Sequence, residues 1–488
     1  MVLFLFVAPR LQAQTDDFKA FRSRMLSDYQ DFRKGIMERY VEFLDAAWAE
    51  YETMAGSRRV TIPKPEEAPV YTPSENPVGK DPDKPVIVEP EESEESNPPA
   101  PVKPTEPAEP TIPSAPNVPT VPSVPTPNVQ QIRFTLYGVS MAVPAPKLEA
   151  ELIRSNQQEV VEYWKQIHQS DTKACIEGLQ QLAANHQLGD WCTFKAVEKY
   201  CSIWAKDNII ASRVMMQYLM LSMGYDVRLA IDENAVYLLL PFEQKVYANT
   251  YISMNESNYY VYPKSIPLNS RIYTCSLPVG EDYGRQMDLI INPAYRLPEN
   301  SQSFNFSYGG LSVQGDVNKN VIALLQEYPS MDIYCYAASK TDAEVRRAVI
   351  NQLKKQVQGM SEADAANALL HFVQSAFEYQ TDGQQFGDGV EKSFFFDETL
   401  YYPYCDCEDR SIFYAYLVHE VLELDVLLVG YPGHECTAVS LSSTPQNATA
   451  FRYQGKLYYI CDPTYIGADI GECMPRYVNI RPEVEEWY

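Results

Sequence analysis

The chain has 488 residues with 45% hydrophobic and 12% aromatic content, enough for two to four domains with filled cores. A formal charge of −25 argues against nucleic acid and anionic membranes as partners, because both need basic surface. No apolar run reaches the roughly 18 residues needed to span a bilayer, so the chain is expected not to be membrane-spanning.

Residues 1–14 read as the apolar part of a secretory signal with a cleavage site near Ala13, although a basic leader is missing. The expected location is therefore exported, periplasmic or secreted from a bacterium. Export would permit disulfides among the ten cysteines, and an even count leaves the pairing open.

Residues 15–56 carry a hendecad stripe. Phe18, Tyr29, Tyr40 and Tyr51 are spaced by eleven, as are Phe21, Phe32, Phe43 and Met54, with Met25, Ile36 and Ala47 completing a 3-4-4 pattern. One long amphipathic helix is expected, its aromatic face covered by self-association, by a membrane surface, by a protein partner, which the mixed charges of the other face favour over a membrane, or by the body of the same chain. Residues 57–130 follow, Pro- and Glu-rich, with more than half of the 36 prolines. This composition cannot form a core and reads as an extended, disordered linker.

Two regions then echo one another, residues 131–300 and 301–488. A shift of 199 places Asp226-Val227 on Asp425-Val426 and Tyr259-Tyr260-Val261 on Tyr458-Tyr459-Ile460. The stretch 133–141 also resembles 305–313, so a duplication is the simplest account, with two unrelated domains as the alternative.

The chemical residues lie in the second copy. Apolar positions Ile412, Phe413, Tyr416, Leu417, Val421 and Leu424 recur three and four apart, so Cys407 stands at the start of an amphipathic helix. Unpaired N–H groups and the helix dipole there favour thiolate over thiol. Val426–Tyr431, Glu435–Leu441, Phe451–Tyr453 and Leu457–Ile460 read as strands. They bring His434 as general base and Asp462 as the carboxylate that orients its ring, which makes Cys407, His434 and Asp462 the candidate catalytic set. Under the 199-residue shift their counterparts are Asn208, Ala235 and Pro263, so the first copy has no triad.

Asp406-Cys407-Glu408-Asp409, Gly433-His434 and Asp462-Pro463-Thr464 resemble, in order and spacing, the motifs of the transglutaminase-like superfamily, over about residues 360–488. The resemblance implies an α+β fold of two tandem transglutaminase-like, papain-like domains, the first degenerate, behind the long helix and linker. It implies acyl chemistry on a peptide or protein amide, as a cysteine peptidase, amidohydrolase or amidotransferase, without cofactor or metal. Three alternatives stay open: a zinc set of Cys405, Cys407, His434 and Cys436, core or disulfide roles for Cys405, Cys436, Cys461 and Cys473, and a non-catalytic scaffold that binds peptide or glycan. His371 and His419 lie inside helical patterns and read as packing or surface residues, while His168 and His186 fall in the first copy.

Overall fold

Short apolar and alternating runs form two six-stranded sheets against which the intervening helices pack, so the chain is mixed α and β. The computed structural model describes residues 35–57, 64–72, 86–88, 130–275 and 284–485, except 36, 47, 207, 255, 264, 265, 267–269, 446 and 447. The signal-like residues 1–14 and the helix expectation for 15–34 lie outside the described residues.

In the first half, a helix at residues 37–44 (α1) leads to β1 (Ala49–Glu52). After β2 (Val86–Val88) comes a hairpin of β3 (Gln131–Leu136) and β4 (Val139–Pro144). Four helices follow, α2 (Gln157–Gln169), α3 (Lys173–His186), α4 (Gly189–Ala205) and α5 (Ile209–Ser222). Strands β5 (Arg228–Ile231), β6 (Val236–Pro241), β7 (Tyr251–Met254), β8 (Ser257–Tyr262) and β9 (Arg271–Thr274) complete the half, in the sheet order β1-β9-β5-β6-β8-β7.

The second half opens on another hairpin, β10 (Ser301–Tyr308) and β11 (Leu311–Asn318). Helices α6 (Lys319–Leu325), α7 (Ile333–Ala338), α8 (Ala343–Gln356) and α9 (Glu362–Ala376) lead to β12 (Glu378–Tyr379), α10 (Asp382–Phe386), α11 (Phe396–Tyr401) and β13 (Tyr404–Cys405). Then come α12 (Cys407–Leu417), a π turn at Val418–Leu422, and strands β14 (Val426–Tyr431), β15 (His434–Val439), β16 (Thr449–Tyr453), β17 (Lys456–Cys461) and β18 (Glu483–Glu485). Their sheet runs β18-β14-β15-β17-β16-β2. The order β14-β15-β17-β16 repeats β5-β6-β8-β7, each quartet follows a buried helix, and the 199-residue offset carries β8 onto β17 without a gap.

Two expectations for the N-terminal third are corrected. The helix ends near residue 44 instead of continuing to 56, because β1 pairs antiparallel with β9 and places Tyr51 opposite Ile272 at the sheet edge. Of the aromatic face, the described Tyr40 is covered within the chain: it is buried against Trp164, with ring centroids 5.2 Å apart, and its hydroxyl accepts from Gln217 Nε2 at 3.1 Å. The linker is not wholly without structure either. Residues 64–72 dock on the second half, and β2 pairs parallel with β16. Backbone hydrogen bonds, which Pro-rich composition does not forbid at every position, supply the order.

One apolar core runs through both halves, from Met37 to Ile470, with a second cluster on the second sheet around Val429, Cys436 and Ile460. Helix α12 is buried along its whole length, which departs from the amphipathic pattern read in the sequence. Several of its polar side chains find partners inside the fold. The Arg410 guanidinium donates to the carbonyls of Gln374 (3.0 Å) and Phe377 (2.7 Å), and Ser411 Oγ donates to that of Cys407 (2.7 Å).

Candidate active site

The turn between β14 and β15 is Pro432-Gly433, with Gly433 at φ +77, where a side chain would be strained. It presents His434 as the first residue of β15. The imidazole is buried, and its Nε2 lies 2.8 Å from Asp462 Oδ2. Tyr477 stacks parallel on it at 5.7 Å, backed by Tyr431 at 4.6 Å. Nδ1 of His434 is buried without a hydrogen-bond partner among the described residues.

Asp462 follows β17 directly and is held from two sides. Its Oδ1 accepts the N–H groups of Thr464 (2.9 Å) and Tyr465 (3.2 Å), the local bonding that an Asp-Pro-Thr turn provides. Its carbonyl accepts from Gln374 Nε2 at 3.0 Å. The same amide donates to Ala468 O (3.0 Å) and accepts from Gly467 N–H (2.9 Å). Gln374 was not singled out in the sequence; its signal was one polar residue among the apolar positions of α9.

Cys407 is the first residue of α12, so its N–H has no acceptor within the helix. The N-terminus is fixed by Asp406 N–H donating to Asp409 Oδ2 (3.1 Å) and by Asp409 Oδ1 accepting Phe394 N–H (2.8 Å). Cys407 and His434 both line one cavity of about 670 Å³, together with Lys64, Glu408 and Pro432. The expected drift toward thiolate is not what surrounds this sulfur. Its Sγ donates to Glu408 Oε2 at 3.0 Å, and burial, then Glu408 and Asp406, push the thiol well above its ordinary value, while Lys64 acts the other way. The helix-terminal effect falls off within a turn and is outweighed by burial together with two flanking carboxylates.

Lys64 is the other residue that the sequence did not single out. Its Nζ reaches Glu408 Oε1 (2.6 Å), Asp406 Oδ2 (2.8 Å), Glu391 Oε2 (2.9 Å) and Asp382 Oδ2 (3.5 Å). Burial alone would lower the ammonium, but Glu408 and Asp406 outweigh it and hold Lys64 charged far above neutrality. Burial likewise pushes Asp382 up to about 6, against the attraction of Lys64.

The zinc alternative is not assembled. Among the described residues, the groups whose ligand atoms converge are Asp406–Cys407–Glu408 and Asp382–Asp406–Asp409, with Cys405, His434 and Cys436 in neither. Cys405 Sγ instead faces the carbonyl of Glu378 at 3.9 Å, and Cys436 packs in the apolar cluster with Val429 and Tyr431. All ten cysteines are free and buried, so the disulfide alternative is not realised in this structure. His371 pairs with Asp469 at 2.9 Å. Among the described residues no helix is long and apolar enough to cross a membrane. Comparison with protein-family models, curated proteins and solved structures returns no match.

Proposed function

We propose that the chain is an exported transglutaminase-like cysteine amidohydrolase or peptidase, built from two tandem domains of which the first is degenerate. One observation carries the reading: His434 is oriented by Asp462 through Nε2 while its buried Nδ1 is unpartnered on the cavity that Cys407 shares. An imidazole held this way can take the thiol proton at Nδ1 once Sγ turns from Glu408. The thiolate then attacks an amide carbonyl, the C–N bond breaks, and the proton held on His434 passes to the leaving amine. Water, activated by the same imidazole, cleaves the thioester and restores the thiol; a second amine in place of water would make the outcome transamidation. The Cys407 N–H at the start of α12 is suited to the developing oxyanion.

Labelling with an electrophilic peptide probe near neutral pH, followed by mapping of the modified residue, tests this. Modification of Cys407 that slows by about 10²-fold or more in His434→Ala supports it. Labelling at other cysteines only, or equal rates in both proteins, sinks it.

The second reading is a non-catalytic scaffold that binds peptide or glycan. It is favoured by the thiol–Glu408 hydrogen bond and by the burial that keeps Cys407 protonated. It requires Cys407→Ala to leave ligand binding unchanged and the probe to react no faster than with an unactivated thiol.

A further inference from the structure

The segment 64–72 puts Lys64 into the acidic wall of the cavity and runs on past Tyr379 and Ile466, gripped in a manner suited to exchange. Its anchor is Lys64, whose ammonium sits among Asp382, Glu391, Asp406 and Glu408. Next along the segment, the Tyr379 hydroxyl donates to the carbonyl of Pro65 at 2.8 Å. Further on, the Pro69 carbonyl accepts Ile466 N–H (2.9 Å) and Tyr71 N–H donates to the Ile466 carbonyl (2.9 Å), a parallel bridge between Val70 and Ile466. The Val70 side chain itself is 67% exposed. One charged anchor plus main-chain pairing is how sheet edges and grooves take extended peptides, with affinity from the backbone and selectivity from a pocket. Two buried polar atoms also lack hydrogen-bond partners among the described residues, Oδ1 of Asp406, whose other oxygen meets the anchor, and Nδ1 of His434, a residue that lines the same cavity. The site therefore offers more hydrogen-bonding capacity than the segment uses.

We propose that this groove is a peptide-recognition site, that residues 64–72 are its tethered occupant, and that the ligand displacing them is an extended peptide with a primary ammonium in the place of Lys64. The inference rests on the reading above only in setting the groove beside a reactive thiol. The ammonium acts as an anchor and not as a reacting amine, because the carboxylates around it keep it charged. A tether raises the local concentration of its segment to about the millimolar range, so a free peptide competes well only when the tethered copy is weakened.

The test uses the full chain carrying Cys407→Ala, so that no turnover occurs, with and without Lys64→Ala. Two N-acetylated, C-amidated peptides are titrated by calorimetry, one with the sequence of residues 64–72 and one with norleucine in place of its lysine. The Lys64→Ala chain is expected to bind the lysine peptide at least about tenfold more tightly than the chain that keeps Lys64, and at least about tenfold more tightly than it binds the norleucine copy. Equal affinity of the two chains, equal affinity for the two peptides, or no binding by a Lys64→Ala chain that unfolds like its parent overturns the proposal. If Lys64→Ala does not fold, Tyr71→Pro provides the second arm: it removes the N–H donated to Ile466 and leaves the ion pairs of Lys64 in place. It should still raise the affinity for the lysine peptide, and unchanged affinity there counts against the groove. Peptide exchange with an inert Cys407 would sink the enzymatic reading alone, whereas a reactive Cys407 without exchange would sink this one alone.

Discussion

In the proposed mechanism two acceptors compete for one proton at Cys407: the Glu408 carboxylate, to which Sγ donates in this structure, and Nδ1 of His434, which has no hydrogen-bond partner among the described residues. Asp462 tips that competition by fixing the ring, so Asp462→Asn is expected to slow labelling of Cys407 by about 10²–10⁴-fold with little change in unfolding midpoint. Gln374 acts one step further out. Gln374→Ala removes a donor from the Asp462 and Ala468 carbonyls and the side-chain acceptor of the Gly467 N–H, and is expected to cost about 1–3 kcal/mol in urea denaturation while also slowing labelling. The acidic pocket has its own signature in pH. Asp382 moves from an ordinary 3.8 to about 6, so between those values the folded chain binds a proton that the unfolded chain has released. Its contribution to stability therefore falls as pH rises from about 4 to about 6, and Asp382→Asn should flatten that part of the stability–pH curve, measured by denaturation at half-unit steps. An unchanged slope would show that Asp382 is not the titrating group. At this scale the His434–Asp462 pair, and Cys407 on the same cavity, were readable as candidates because each sits in a short motif on its own element. Lys64 was not, since a lone lysine among prolines has no periodicity to mark what it touches.

Elements explain why those residues meet. Helix α12 is the hub: Phe413 stacks on Phe396 with centroids 4.9 Å apart and meets Phe377 edge-on at 5.4 Å, while Ser411 Oγ donates to the carbonyl of Glu435 on β15 at 3.1 Å. The helix thus fixes the distance between the sulfur at its start and the strand that begins with His434. Phe413→Ala is expected to cost about 3–5 kcal/mol, read as a shift in the urea midpoint, and to impair labelling through loss of that spacing. Strand β14 was read to its residue, because a continuous apolar run bounded by Asp425 and Pro432-Gly433 leaves little freedom. Helix α1 was over-extended for a different reason. The hendecad spacing persists through Tyr51 and Met54, but pairing of β1 with β9 supplies backbone bonds that helical propensity alone does not outweigh. The burial of Arg410 and Glu408 on α12 was likewise hidden, since a helix pattern records which positions are apolar and not which polar ones find partners inside.

At the scale of the whole molecule, the two halves are joined through apolar and hydrogen-bonded contacts of interior type and do not merely sit on a linker. Tyr295 is buried with its hydroxyl bonded to that of Tyr328, and Tyr328 stands edge-on to Phe395 at 5.3 Å and tilted to Trp191 at 6.2 Å. Main-chain bonds cross as well: Tyr247 N–H donates to Ser330 O (2.8 Å) and Lys340 N–H to Ile291 O (2.7 Å). The first half is thereby a structural support for the half that carries Cys407. Chains of this length often unfold in several steps, but a core shared across the boundary couples the steps. Tyr295→Ala removes an aromatic side chain from that shared core and is expected to cost about 3–5 kcal/mol. Because the cost falls on contacts made by both halves, far-UV circular dichroism, tryptophan fluorescence and protection of Cys407 from alkylation should shift to lower denaturant together. If fluorescence from the Trp-rich first half moved while Cys407 protection kept its midpoint, the halves would be independent folding units and the support role of the first would be lost.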